Sequence, residues 1–181
     1  MSFQHSALRS LVRASALGAA LALPLLVSNA ASAQPKLGID LGADLPNKSN
    51  GNKDGLGFGL RLGHQWNLAI IKLVPEIGFD YHDFGGPPGL TAFRFVGGGR
   101  FGVDLGIEPI VFAHAGLGHW SAGGVSDTNL GYDVGAALDL TILPIVSFGA
   151  HVMETGIAGG SNTDSFNWLE IGGHVGFTLG I

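Results

Sequence analysis

Apolar side chains recur at every second position through most of the chain, and that period admits one local geometry: a β-strand, whose successive residues face opposite sides of a sheet. The closing stretch shows it, with Leu169, Ile171, Gly173, Val175, Phe177, Leu179 and Ile181 on one phase and Glu170, Gly172, His174, Gly176, Thr178 and Gly180 on the other. The same alternation repeats upstream behind Pro35, Pro75, Pro109 and Pro144, which stand 40, 34 and 35 residues apart. Each proline is expected to open a strand, where its missing N–H costs no interior ladder bond. A partner run answers each of these strands, over residues 56–66, 91–103, 130–140 and 169–181. Four hairpins predict eight antiparallel strands of roughly 9–13 residues, long enough to cross a bilayer at a tilt.

The connections alternate in length. Within the hairpins lie "PNKSNGNKDG", "GGPPG", "SAGGVSDTN" and the stretch Thr155 to Phe166 containing "GGSNTD"; between them only "NLAI", "DLGI" and "TIL". Long loops at one end and tight turns at the other are the asymmetry of a membrane barrel. The N-terminus fits that destination. Arg9 and Arg13 precede an apolar run from Ala14 to Val27, and Ala31-Ser32-Ala33 offers small residues for signal-peptidase cleavage, so residues 1–33 read as a signal peptide and 34–181 as one barrel domain. The apolar run, broken by Pro24, is too short for a spanning helix. Residues 34–181 carry 7 basic and 14 acidic side chains, a balance that excludes nucleic acid as a partner, and the chain has no cysteine for a disulfide or a thiolate metal site.

Which face is inside follows from glycine. On the polar phase of the strands stand 16 glycines, among them Gly38, Gly42, Gly57, Gly149 and Gly172, against 3 on the apolar phase (Gly97, Gly99 and Gly173). A narrow lumen needs small residues beside large ones, whereas a water-facing wall does not, so the glycine phase is assigned to the interior and the leucines and phenylalanines to lipid. A secreted soluble ligand-binding barrel would require the reverse. Asp40, Arg61, Glu76, Asp80, Arg94, Arg100, His114, Asp133, His151, Glu170 and His174 share the interior phase and are expected to pair with one another in a plugged lumen, because buried charges are costly otherwise. His151 and Glu170 are expected to face each other across the last hairpin. Trp66 and Phe101 at the short-turn end, with Tyr81, Phe84, Phe93, Phe95, Tyr132 and Trp168 at the long-loop end, are read as aromatic girdles.

On these residues the chain from 34 to 181 resembles the small outer-membrane β-barrel proteins of Gram-negative bacteria, the OmpA transmembrane-domain and OmpX-like group. Its last residues, with His174, Gly176, Leu179 and Ile181 at the key spacings, resemble that group's C-terminal assembly signal, although members usually end in an aromatic residue where Ile181 stands. The resemblance implies recognition by the barrel-assembly machinery and a monomeric all-β, eight-stranded up-and-down barrel in the bacterial outer membrane, in contact with its lipid and lipopolysaccharide.

One motif suggests chemistry. His119 and Ser121 lie two apart, on one face of a strand and on the lipid-facing phase. The pair is similar to the His-x-Ser of outer-membrane lipid A deacylases, in which an acid orients the imidazole that activates the hydroxyl; Asp133, 12 residues beyond Ser121, is the candidate acid. Asp133 nevertheless alternates into the interior phase, and the competing reading makes these residues interfacial polar groups. The interior histidines His82, His114, His151 and His174 come from four strands without local ligand spacing and are read as hydrogen-bonded, not metal-binding. Gly97–Gly99 lacks the strand-turn-helix setting of a phosphate loop. The expectation is a non-enzymatic barrel without cofactor or metal, serving envelope integrity or surface interaction.

Overall fold

The computed structural model describes residues 34–47, 53–68, 70–87, 89–143, 145–160 and 164–179. The signal peptide assigned to 1–33, Pro144 and Ile181 lie outside them. Eight strands close into one antiparallel barrel in sequence order: β1 (Gln34–Pro46), β2 (Gly55–Leu68), β3 (Ile71–Phe84), β4 (Leu90–Val103), β5 (Ile107–Ala122), β6 (Val125–Leu143), β7 (Val146–Ile157) and β8 (Phe166–Thr178). Closure is made by β1 on β8, in a ladder from Lys36↔Thr178 to Pro46↔Trp168. Every described strand has a neighbour on both sides, the closure by which a sheet crossing hydrocarbon satisfies its backbone groups internally.

The strands run longer than the alternation alone marks, and the prolines account for part of the difference. Pro75 does not open β3 but sits inside it. The β2–β3 ladder lapses there, between Gly63↔Glu76 and Trp66↔Leu73, while the β4 side keeps Pro75↔Gly99. One face of the strand thus gives up a bond that proline cannot donate. The third hairpin departs further. Its expected loop from Ser121 to Asn129 is almost all strand: β5 and β6 stay paired to Ala122↔Val125. Only Gly123 and Gly124 turn the chain, at φ of 57° and 84°. Two successive positive φ values define a two-residue turn that matches strand twist and that glycine adopts without strain.

The two faces separate as the glycine argument requires. Leu41, Leu56, Phe79, Phe95, Leu117, Val134, Leu138 and Ile171 are exposed on the outer wall, whereas Asp40, Asp44, Asp80, Arg94, Asp133 and Asp139 are buried at the axis. Leu41 is 61% exposed and its neighbour Asp40 3%. That polarity suits lipid outside and excludes the soluble ligand-binding barrel, which needs an apolar calyx.

Two aromatics contradict the girdle reading. Tyr81, Phe93, Phe95 and Phe101 do face outward, but Phe84 and Trp168 are buried inside the barrel. With Leu90, Ala92, Ile157 and Phe166 they form a hydrophobic cluster at the long-loop end of the lumen. The rings of Phe84, Phe166 and Trp168 lie 5.0–5.4 Å apart by centroid. Both occupy the interior phase of their strands, and the phase, not the residue type, sets the face. A second small cluster, Ile110, Phe112, Ala137 and Met153, lies on the β5–β7 side.

Candidate functional site

The lumen is filled by side chains from all eight strands. Starting near the loop end, His82 Nδ1 bonds Asp44 Oδ2 at 2.9 Å and His82 Nε2 bonds Asp80 Oδ1 at 2.9 Å. Arg94 Nε donates to the same Asp80 oxygen at 2.7 Å, and Arg94 Nη1 donates to the Tyr132 carbonyl at 2.7 Å and approaches Asp133 Oδ2 at 3.3 Å. Asp133 Oδ1 meets His114 Nδ1 at 2.5 Å, and His114 Nε2 reaches Glu76 Oε1 at 2.9 Å. Arg100 Nε donates to that oxygen at 2.8 Å and Arg61 Nε to Asp40 Oδ2 at 2.8 Å. His82 and His114 thus each set both ring nitrogens against carboxyl oxygens.

A second group sits between β1, β6, β7 and β8. His151 Nε2 bonds Glu170 Oε1 at 3.0 Å, His174 Nε2 bonds Asp139 Oδ1 at 2.6 Å, and the two Nδ1 atoms face each other at 3.3 Å. His151 and Glu170 are diagonal rather than opposite: the register pairs His151 with Gly172 and Glu170 with Met153. Glu170 Oε2 lies 3.8 Å from His82 Nδ1 and so joins the two groups. At the turn end Lys72 bonds Glu108, and Thr141 Oγ1 donates to the same carboxylate at 3.0 Å. Asp40, Arg61, Glu76, Asp80, Arg94, Arg100, His114, Asp133, His151, Glu170 and His174 each take part in at least one of these contacts. Asp44, His82, Glu108 and Asp139 share the interior phase with them and belong to the same system.

The glycines make this packing possible by close approach. A Cβ on Gly149 would lie 2.4 Å from both Asp139 Oδ1 and His174 Nε2, on top of their hydrogen bond. One on Gly42 would lie 2.5 Å from Glu170 Oε1. Both contacts occupy space that a glycine on a neighbouring strand leaves free.

Two trios bring possible metal-ligand atoms within 4.8 Å of one another: Asp40 with His151 and His174, and Asp44 with His82 and Glu170. Strand-to-strand stagger assembles both, which is why no local spacing announced them.

The proposed hydrolytic trio is not assembled. His119 and Ser121 are on the outer phase of β5, where His119 Nδ1 bonds Thr128 Oγ1 at 2.7 Å and its ring lies 4.9 Å from that of Phe93. Asp133 pairs in register with His114, its side chain buried in the lumen on the other side of the wall. It cannot orient His119. Of the assembly-signal positions, His174 and Gly176 are lumenal in β8, and the Leu179 amide donates to Pro35 O at 2.8 Å just past the strand end.

An edgeless eight-stranded barrel with an apolar outer wall and a charged, filled interior has the architecture of a small transmembrane β-barrel. No family model and no curated protein matches the sequence. Among solved structures it is similar to Neisserial surface protein A, with a TM-score of 0.61 and 13% identity over 84% of this chain and 100% of that one. It is also similar to the outer membrane enzyme PagL, with a TM-score of 0.53 and 17% identity over 77% of this chain and 97% of that one. At such identities the likeness is one of fold.

Proposed function

We propose that the protein is a non-enzymatic, monomeric barrel that serves envelope integrity or surface interaction, delivered by a signal peptide over 1–33 and folded by the barrel-assembly machinery reading His174, Gly176, Leu179 and Ile181. Its partners are outer-membrane lipid and lipopolysaccharide. The observation that carries this reading is the lumen: the cavity bounded by Asp40, Arg61 and Glu76 measures only about 20 Å³, room for a single water, and ion pairs and an aromatic cluster occupy the axis above it. Such a barrel offers lipid an apolar belt and offers solutes no channel. Planar-bilayer recording of the refolded protein tests it, with no stable conductance expected; large, steady single-channel steps from a monomer contradict it.

The hydrolase alternative has the His119–Ser121 pair and the fold likeness to an outer-membrane enzyme in its favour, and against it the Thr128 hydroxyl that occupies His119 Nδ1 and the burial of Asp133 in the lumen. Lipid A mass spectrometry on a deletion strain, alone and complemented with the natural sequence or Ser121→Ala, separates the two. Unchanged lipid A in all strains is the expected result. Acyl-chain loss that depends on Ser121 replaces the structural reading with the enzymatic one.

A further inference from the structure

Among the described strand residues the outer phase carries no lysine or arginine and two acids, Asp83 and Glu154, both exposed. Asp83 stands at the rim, one residue from the loop end of β3. Glu154 is set deeper, three residues inside the end of β7 at Ile157, about 10 Å along the strand. Its register neighbours are Val134 on β6 and Leu169 on β8, 55% and 40% exposed, and Val152 lies beneath it on the same strand, so apolar side chains border the carboxylate on three sides. Among the described residues no hydrogen bond or ion pair satisfies it. An acid left so on a lipid-facing wall is costly.

The fourth side is polar. Next toward the loops the register runs Tyr132↔Gly156↔Asn167, and the Tyr132 hydroxyl donates to Asn167 Oδ1 at 3.0 Å, crossing over Gly156 of the strand between them. A Cβ on Gly156 would lie 2.4 Å from that Oδ1 and 2.8 Å from the hydroxyl oxygen, so the bridge exists because the position is glycine. It pins ring and amide beside Glu154. Asn167 Nδ2 is left to donate, and the Tyr132 oxygen and the Glu154 carboxylate to accept.

We propose that Glu154, Asn167 and Tyr132 bind the hydroxyl-bearing sugar ring of a glycolipid in the leaflet next to the loops, an assignment that rests on the proposed outer-membrane role. A hydroxyl both donates and accepts, so it answers the carboxylate and the amide together. Phosphate is repelled by Glu154 and meets no lysine or arginine on the outer phase, while an ammonium group leaves the Asn167 amide without an acceptor. The Tyr132 ring supplies an apolar surface for the C–H face of a sugar. Val134, Val152 and Leu169 continue the site toward the membrane interior, where acyl chains cover them, and so the sugar is lipid-borne.

The test uses the full barrel refolded in phosphocholine micelles, its folding checked by heat-modifiable gel mobility. Glucosyl diacylglycerol, phosphatidylglycerol and phosphatidylethanolamine of matched chains are titrated in, and bound lipid is read by native mass spectrometry. One glucolipid per barrel, held at least about tenfold more tightly than either phospholipid, is expected. Glu154→Ala should weaken it about tenfold or more and Asn167→Ala about threefold to tenfold, as losses of a charged and a neutral hydrogen bond; Asp83→Asn should leave it unchanged. Methyl glucoside, which has no chains, should compete only at far higher concentration. Equal retention of the three lipids by the unmodified barrel overturns the proposal, as does preference for either phospholipid, undiminished binding by the folded Glu154 variant, or competition by methyl glucoside at the concentration of the glucolipid itself. The lipid ranking is read on the unmodified barrel and decides even where a variant does not fold. A conducting pore or Ser121-dependent acyl-chain loss would defeat the broader role in its own assays and leave this ranking as it stands.

Discussion

Arg94 is the most constrained cation in the barrel, and replacing it by methionine isolates what a buried ion pair contributes here. Its side chain is fully buried, bonded to Asp80 and to the Tyr132 carbonyl at 2.7 Å each, 3.3 Å from Asp133, and placed over the Trp168 ring at 5.7 Å. Methionine fills similar length, so the cavity cost is small and the loss is electrostatic. Removing one partner of a buried pair costs about 3–5 kcal/mol, because the charge left behind has neither water nor a counter-ion. Asp80 keeps His82 and Asp133 keeps His114, which puts the expectation near the lower bound, about 3 kcal/mol. With a urea slope of about 1–3 kcal/mol per molar, the unfolding midpoint should fall by about 1–3 M. Reversible urea titration in lipid vesicles, read by gel mobility, measures it. Adding Asp80→Asn to Arg94→Met should cost less than the sum of the two single changes, since it removes the orphaned charge. A loss under about 1 kcal/mol at unchanged slope, or strict additivity, would show that the lumen is hydrated enough to screen its charges and that the network is not what holds it closed.

Three further outcomes are expected under the same titration. Gly149→Ala forces a methyl onto the Asp139–His174 bond and should cost about 1–3 kcal/mol, whereas Gly97→Ala, whose Cβ meets nothing nearer than 3.9 Å, should be close to neutral; equal effects would remove the close-packing account of the lumenal glycines. Trp168→Ala should cost about 3–5 kcal/mol as an interior aromatic, and a near-zero change would return it to the lipid girdle. Leu60→Arg near the middle of β2 should cost about 2–4 kcal/mol and Leu68→Arg at its end about 0–1; a cost independent of depth would contradict lipid on that face.

The strand count, the order and the identity of the two faces were all legible in the alternation, because a period of two is a purely local property. Membership of the lumenal network was legible for the same reason: Asp40, Arg61 and His174 need only the right phase. Partners were not. Whether His151 meets Glu170 directly or diagonally, and whether His174 reaches His151, depends on stagger between neighbouring strands, which no single strand encodes. Phe84 and Trp168 were misplaced although their phase was correct, since a ring near a membrane boundary suits a girdle and a plug equally by composition. The Gly123–Gly124 turn has a local signal, since paired glycines between alternating runs mark a two-residue hairpin, but the polar residues that follow, from Ser126 to Asn129, have the composition of a loop. Asp133 was the reverse case, its inward phase already separating it from His119.

The two mouths of the lumen differ in kind. Phe84, Phe166 and Trp168 close the end that bears the loops, while Lys36, Arg100 and Ser147 line the small cavity toward the end that bears the tight turns. Hydrocarbon corks one side of a shaft whose other side is ionic, so water or protons that exchange with the buried histidines are expected to do so from the end that bears the tight turns.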